Sequence, residues 1–312
     1  MGEVLKGIRF DKGVLQQICG KHLLGKIHQV VYSQSGMVNP CVFINDTFVI
    51  RFNVRDPKIP KFRREKMAMR LLKERKILVP EVVALDEDRD VSPYDFLICK
   101  KVAGNELYKV WEAQGEAMQQ QLCGEMGEIL AQIHGVTFPK FGEILPNGEG
   151  LQFEKWSDCV RHKLEEAIEG TKLFGLFEEK NYQQVRQIFE NQVSLLDTVQ
   201  QAVLVHNDYH LGNMIVNQGH IASILDFEWC FAGDPEFDFR EPVTFEGVSQ
   251  NILPYYQQKH PLSAEFEQKN YLYRLLLYLQ LCDLSNRHDW GEKSKKSYKK
   301  QFLRLLEQVF LN

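Results

Sequence analysis

The segment His206-Asn207-Asp208-Tyr209-His210-Leu211-Gly212-Asn213 places an acid, and an amide five residues later, between two short apolar runs, Val203–His206 and Met214–Val216. A third apolar run, Ile221–Asp226, ends on a second acid, and Asn217-Gln218-Gly219-His220 join it to the run before as a hairpin. The result is a small β island carrying most of the chain's notable polar residues. One carboxylate to orient a hydroxyl and take its proton, with an amide and a second carboxylate as oxygen ligands for a divalent ion, is the inventory that phosphoryl transfer requires.

Outward from this island the chain has two textures. The first hundred positions are rich in β-branched and aromatic residues at 27–33, 40–45, 47–53 and 96–100, which predicts a small sheet. Asn45-Asp46 separates two of these runs and predicts a hairpin turn, because both residue types tolerate positive φ. Phe62, Met67, Met69, Leu71 and Leu72 among the charges of 61–76 predict one helix against that sheet, closed by Pro80. Beyond Gly104 the spacing turns helical, with Leu122, Met126, Ile129, Leu130 and Ile133 on one stripe. Further amphipathic helices are predicted in 151–200, 271–283 and 298–311.

Composition narrows the function classes. With 312 residues and 44% hydrophobic content the chain can fill globular cores, and 38 basic against 42 acidic residues leave no broad electrostatic footprint for nucleic acid. The start lacks the pattern of a secretory signal and no apolar run approaches a membrane span, so a cytoplasmic protein without nucleic-acid or membrane partners is expected. Seven scattered cysteines, none in a CxxC pair, predict buried free thiols rather than disulfides or structural zinc.

The order HxDxxxxN, strand, Asp is also that of kinase catalytic segments. HNDYHLGNMIV followed by ILDFEWCFAGDPEFDF closely resembles the aminoglycoside phosphotransferase and choline kinase-like family. The resemblance covers about residues 25–245 and is strongest at 203–239. It implies an α+β, two-lobed protein-kinase-like fold: a small antiparallel sheet with one helix in an N-terminal nucleotide lobe, residues 1–101, and a larger, mainly helical lobe, residues 102–312. It further implies Asp208 as catalytic base, Asn213 and Asp226 as ligands of Mg²⁺, and His206 packing the catalytic loop. ATP or GTP is the implied phosphate donor and a small-molecule alcohol, an aminoglycoside-type antibiotic or related amino or sugar alcohol, the acceptor, in a monomer or homodimer. Glu228 is a weaker metal candidate, and Asp234 and Asp238 are expected to brace the loop and the following helix. His134, at the end of a helix, is expected there because the helix dipole favours it.

In the N-terminal half, the 33–39 stretch takes the place of the loop that kinase-like proteins fold over the nucleotide phosphates, with Ser35 and Gly36 at its centre. Val49-Ile50-Arg51-Phe52 takes the place of the strand that carries the phosphate-binding lysine, and here it carries arginine. Glu65 is the expected ion-pair partner of Arg51, with Lys58 or Lys61 as substitutes were Arg51 to point away. The stretch 96–104 takes the place of the hinge that receives the purine, with Ile98 and Lys100 as candidate contacts. A protein kinase is disfavoured, because GDPEFD follows Asp226 too closely for an activation loop.

Two rivals follow from the same residues. His206, Asp208 and His210 form an HxDxH cluster of the sort found in metallohydrolases, although the remaining histidines supply no paired motif. A nucleotide-binding pseudoenzyme would keep the fold and lose transfer, and the arginine at 51 is the feature that speaks for it. Candidates for acceptor contacts in the second lobe are Glu154, Trp156, Asp158, Glu241, Asp283, Asp289 and Trp290.

Overall fold

The computed structural model describes residues 9–33, 39–240 and 248–308. The chain divides into two compact units, Met1–Val110 with Gly212–Trp229, and Trp111–Leu211 with Cys230–Asn312.

The first unit opens with helix α1 (Lys12–Lys21), capped by Asp11, whose Oδ1 accepts the Gly13 N–H at 2.6 Å. Strands β1 (Val30–Tyr32), β2 (Cys41–Ile44) and β3 (Phe48–Phe52) follow, then helix α2 (Lys61–Glu74), β4 (Val82–Asp86) and β5 (Phe96–Lys100). The sheet is antiparallel in the order β1-β2-β3-β5-β4. Asn45 and Asp46, at φ 53° and 54°, turn β2 into β3, and the Asn45 side chain accepts from the backbone of His28 and Gln29. The asparagine thus serves the turn and ties down the chain before β1.

Strand periodicity decides what faces what. Ile50 and Phe52 point to the side covered by α1, where they pack with Leu15, Ile18, Cys19, Val42, Ile44, Phe96 and Ile98. Arg51, between them, is sent to the opposite face. On α2 the buried stripe is Phe62, Glu65, Met69 and Leu72, so helical spacing drives a carboxylate inside together with its apolar neighbours. The two local periods thereby place the buried Glu65 and the Arg51 cation in a common interior, beside Lys61 and Arg64, which α2 also buries.

The expected β island divides: its first run joins the sheet of the second unit, and only the hairpin that follows belongs to this first unit. Met214–Asn217 and His220–Ile224 pair antiparallel about Gln218 and Gly219, at φ 50° and 81°, and Asn105–Glu106 adds a third strand. Gly104 sits at φ 131°, where a Cβ would stand 2.4 Å from the Val216 carbonyl oxygen, so this close approach requires glycine.

The second unit is mainly helical, with Glu116–His134, Trp156–Leu173, Glu179–Asn191, Val248–Tyr256, Phe266–Arg287 and Glu292–Gln308 as its longer helices. Five short strands make a sheet in the order Thr137–Phe138, Ala202–Val205, Phe231–Gly233, Phe141–Gly142, Gln152–Phe153. Ala202–Val205 is buried at every position, which explains its continuous apolar run. Trp156 stacks on Phe231 and meets Phe237 and Tyr273 edge-on. Its indole N–H donates to the Tyr273 hydroxyl at 2.8 Å, and that hydroxyl to Asp234 Oδ2 at 2.6 Å, which Lys269 also reaches at 2.8 Å. Among the described residues, no helix is long and apolar enough to cross a membrane.

Candidate active site

In the first unit Arg51 is the centre of a charged interior. Its Nη1 donates to Glu65 Oε1 at 2.5 Å, and its Nη2 to Asp226 Oδ1 at 2.7 Å and Glu228 Oε2 at 3.0 Å. Glu228 Oε2 also accepts from Asn39 Nδ2 at 2.5 Å, and its Oε1 lies 3.8 Å from Lys61 Nζ. Lys61, fully buried, pairs with Asp56 at 3.2 Å and lies over the Trp229 ring. Arg51 therefore holds the position beside Glu65, and Lys61 stands nearby as a second cation.

Burial penalises every charge in this cluster, but unequally. Arg51 stays protonated well above its ordinary range, since Asp226, Glu65 and Glu228 together outweigh its desolvation. Three carboxylates sharing these cations cannot all be satisfied. Burial first, and Asp226 among the neighbouring acids, push the Glu65 and Glu228 carboxyls up from the carboxylate range against the pull of Arg51 and, for Glu228, of Lys61.

Asp226 is the more exposed member, at 32% of its side chain, against 0% for Glu65 and 3% for Glu228. It adopts φ 67°, a conformation an Asp tolerates better than most residues and one that local structure must enforce. The Leu225 N–H donates to the Asn213 carbonyl at 2.8 Å, which holds the backbones next to the two candidate metal ligands together. Carboxylate oxygens of Glu65, Asp226 and Glu228 lie within 4.8 Å of one another. All donors here are hard oxygens, so the residues fit Mg²⁺ better than a softer metal.

The other nucleotide-side expectations fare differently. Ser35 and Gly36 lie outside the described residues. Ile98 is corrected: β5 is an interior strand, Ile98 is paired with Ile50 on one side and Ala84 on the other, and its side chain is in the α1 core. Neither its backbone nor its side chain is open to a purine. Lys100 ends that strand, its N–H given to the Glu81 carbonyl at 2.8 Å and its ammonium 2.9 Å from the Glu81 carboxylate.

In the second unit the catalytic-loop candidates hang on Asp238. Its Oδ2 accepts the His206 N–H at 2.8 Å and its Oδ1 the Asn207 N–H at 2.6 Å. Asn207, at φ 72°, is held from the other side by Arg240, which reaches its carbonyl at 3.0 Å and its Oδ1 at 2.5 Å. His206 is fully buried, and its Nδ1 accepts the Asp208 N–H at 3.2 Å. The Asp208 carboxylate is 39% exposed, with His210 Nε2 3.3 Å from its Oδ1. The loop is thus braced on its backbone while its acid faces outward, the disposition a base needs. Among the described residues no group of three metal-ligating side chains includes His206 or His210, which removes the geometric basis of an HxDxH metal site.

His134 departs from the expectation drawn for it. It is buried, and hydrogen bonds rather than the helix dipole fix it: Nε2 lies 3.0 Å from Asp238 Oδ2 and Nδ1 2.8 Å from the Tyr256 hydroxyl. Burial would raise the Asp238 carboxyl, yet donation from His134 and the nearby His206 hold it below the ordinary range. The tie between His134 and Asp238 joins residues 104 positions apart, whereas the bracing by Asp238 is as expected. The HG that ends the Glu116–His134 helix, paired with the Asp of GDPEFD, was the available clue.

Among the acceptor candidates, Trp156 is a core residue and not a wall of any cleft. Glu154 pairs with Lys140, Asp158 with Arg161, Asp283 with Arg287 and Asp289 with Lys295, and Trp290 stacks on His288. Glu241 lies outside the described residues.

A family model described as the phosphotransferase enzyme family matches residues 33–240. A search of curated protein sequences finds no match. Among solved structures, a putative fructosamine-3-kinase from Haemophilus somnus 129PT superposes with a TM-score of 0.73 at 20% identity, covering 95% of this chain and 96% of that one. APH(2")-IIa in complex with gentamicin gives 0.72 at 20% identity, covering 95% and 97%. A thermostable mutant of aminoglycoside phosphotransferase APH(4)-Ia, in a ternary complex with AMP-PNP and hygromycin B, gives 0.70 at 16% identity, covering 93% and 97%.

Proposed function

The chain belongs to the phosphotransferase enzyme family, with a two-lobed kinase-like fold, and on that premise we propose that it transfers the γ-phosphoryl group of ATP or GTP to a hydroxyl of a small molecule. The observation that carries this reading is the Arg51 cluster, in which one guanidinium joins Glu65 of α2 to Asp226 at the end of the β island. A phosphate-binding cation fixed by a buried helix carboxylate, beside a half-exposed oxygen ligand at a strand end, is the arrangement kinase-type transfer uses.

In this scheme Asn213 and Asp226 hold Mg²⁺, which when bound supplies charge neutralisation to the triphosphate. Arg51 supplies a fixed positive charge toward the phosphates while its two terminal nitrogens stay tied to Glu65 and to Asp226 with Glu228, which a single ammonium could not do. The backbone at Val102–Ala103 receives the purine, since β3–β5 pairing ends at Lys100 and the Lys101 N–H is given to the Thr47 carbonyl at 2.8 Å. Asp208 orients the acceptor hydroxyl and takes its proton. Because such transfers have loose transition states, positioning and charge, more than base strength, set the rate.

The structural neighbours supply the acceptor class to try first. One neighbour carries a fructosamine kinase name and others hold gentamicin or hygromycin B, so amino and sugar alcohols come before peptides. The test is nucleotide turnover by wild type, Asp208→Ala and Asp226→Ala with Mg²⁺, ATP and GTP, over aminoglycosides, choline, ethanolamine, and amino- and ketosugars. Acceptor-stimulated turnover should fall about 10²–10⁴-fold in Asp208→Ala with nucleotide binding kept, and Asp226→Ala should lose binding of the metal-nucleotide complex. Equal residual activity in the two variants would defeat the assignment. Nucleotide binding without turnover on any acceptor would favour the pseudoenzyme.

A further inference from the structure

The chain of contacts that ends on the catalytic loop does not begin at Asp238 or at His134. Tyr256, in the helix Val248–Tyr256, is 1% exposed, and its hydroxyl lies 2.8 Å from His134 Nδ1. Its ring meets His134 edge-on and packs on Phe239. Helical glycines let this helix come close: a Cβ on Gly127 would stand 2.7 Å from the Ile252 carbonyl and 3.0 Å from the Tyr256 nitrogen.

The direction of each hydrogen bond follows from what Asp238 needs. Its carboxylate already accepts two backbone N–H groups and is held in its ionised form. A lone pair on His134 Nε2 facing that carboxylate would be repulsive, so Nε2 carries the proton and donates. A neutral imidazole then presents a bare Nδ1, which only a donor can satisfy. The tyrosine hydroxyl is that donor.

We propose that Tyr256 is a positioning residue for phosphoryl transfer: its hydroxyl donates to His134 Nδ1, fixes the imidazole as the Nε2–H tautomer, and so secures the Asp238 carboxylate that sets the His206–Asn207 backbone ahead of Asp208. The inference rests on the role of Asp208 given above. It gives the buried tyrosine a task that packing alone would not need. A phenylalanine would fill the same space, but it would leave His134 free to choose its tautomer.

The groups that face this relay are known from every packed element. His134 and His206 act on Asp238, His260 stacks on Tyr256 at 5.6 Å with its pKa held down by burial and by His134, and Asp234 and Glu236 add negative charge toward Tyr256 after its burial and Asp238. Tyr209, buried in the loop, donates its hydroxyl to the Met126 carbonyl at 2.8 Å and so is committed elsewhere.

The test has a spectroscopic arm and a kinetic one. Long-range ¹H–¹⁵N correlation spectra of the wild-type protein, with the His134 signals assigned by their loss in His134→Gln, should show the neutral Nε2–H tautomer at pH 7. In Tyr256→Phe the pattern should change to a mixture of tautomers or to imidazolium. The variant's kcat should fall about tenfold at pH 8, the fold-change matching one hydrogen bond of ordinary net strength, with the nucleotide KM unchanged.

An unchanged kcat in the variant, or an unchanged His134 pattern, would overturn the proposal. So would a wild-type His134 found as imidazolium or as the Nδ1–H tautomer, a result that needs no variant to fold. The wild-type spectrum is independent of turnover, so a failure of the Asp208 assignment and a failure of the tyrosine relay are told apart.

Discussion

Arg51 illustrates how much one side chain decides. Lysine at this position would offer a single ammonium, whereas the guanidinium divides its two terminal nitrogens between Glu65 on one side and Asp226 with Glu228 on the other. Removing it leaves Glu65, wholly buried, without its cation. Arg51→Met should therefore cost about 3–5 kcal/mol of stability, the range for a buried pair that loses one partner. Part of that loss should return in Arg51→Met/Glu65→Gln, because the orphaned charge is then gone. Urea unfolding of the two single variants and the double variant measures the coupling, and strict additivity would mean that the pair contributes nothing. Arg51→Lys should fold better than Arg51→Met yet bind Mg·ATP more weakly than wild type, since the ammonium can serve Glu65 or Asp226 but not both.

Between elements, the informative contact is the one that docks α1. Lys21 and His22 at the end of α1 both reach the buried Asp86 of β4, at 2.8 and 2.7 Å. Burial would raise the Asp86 carboxyl, but the hydrogen bonds from Lys21 and His22 hold it below its ordinary value. A carboxylate depressed in the folded state adds stability that is whole above the unfolded pKa, about 3.9, and is lost as pH falls through the folded pKa. The stability difference between wild type and Asp86→Asn should thus be constant from about pH 5 to 7 and shrink below about pH 4. Circular dichroism during denaturant melts across that range checks it; a difference that grows on acidification would be wrong in sign. This docking also shows where sequence reading stops. Phe96–Lys100 and the 61–74 helix were legible because their periods are local and strong, and Asp208, Asn213 and Asp226 because their spacing is. Helix α1, KGVLQQICGK, has two glycines and a weak stripe, and what fixes it lies sixty-odd residues away in Asp86. The helix Val248–Tyr256 carries Pro254 inside it, a residue that argues against a helix. His134 looked like a dipole-favoured terminus because its partners, Asp238 and Tyr256, come from distant turns of the chain.

For the molecule as a whole, the cysteines offer a reporter already distributed between the two units. All seven are free and six are buried, Cys41 being the partly exposed one. Burial pushes Cys41, Cys99 and Cys282 up to about 12 and Cys159 to about 11, so even the accessible thiol is a poor nucleophile at pH 8. A disulfide-exchange reagent should therefore modify at most one thiol quickly in the native protein and all seven in denaturant. Cys19, Cys41 and Cys99 lie in the sheet unit, while Cys123, Cys159, Cys230 and Cys282 lie in the helical one. The sheet unit is the smaller, and a smaller core buries a smaller fraction of its surface. Its three thiols should become reactive at the lower denaturant concentration. Mg·ATP, whose phosphate and metal ligands are assigned to that unit, should raise this midpoint as its concentration rises above Kd, by the ordinary linkage of binding to folding. Mass spectrometry of the modified peptides along a urea series reads both effects. One shared midpoint for all seven thiols would mean that the units unfold together; a nucleotide shift confined to the four thiols of the helical unit would place the binding energy elsewhere than on the Arg51 cluster.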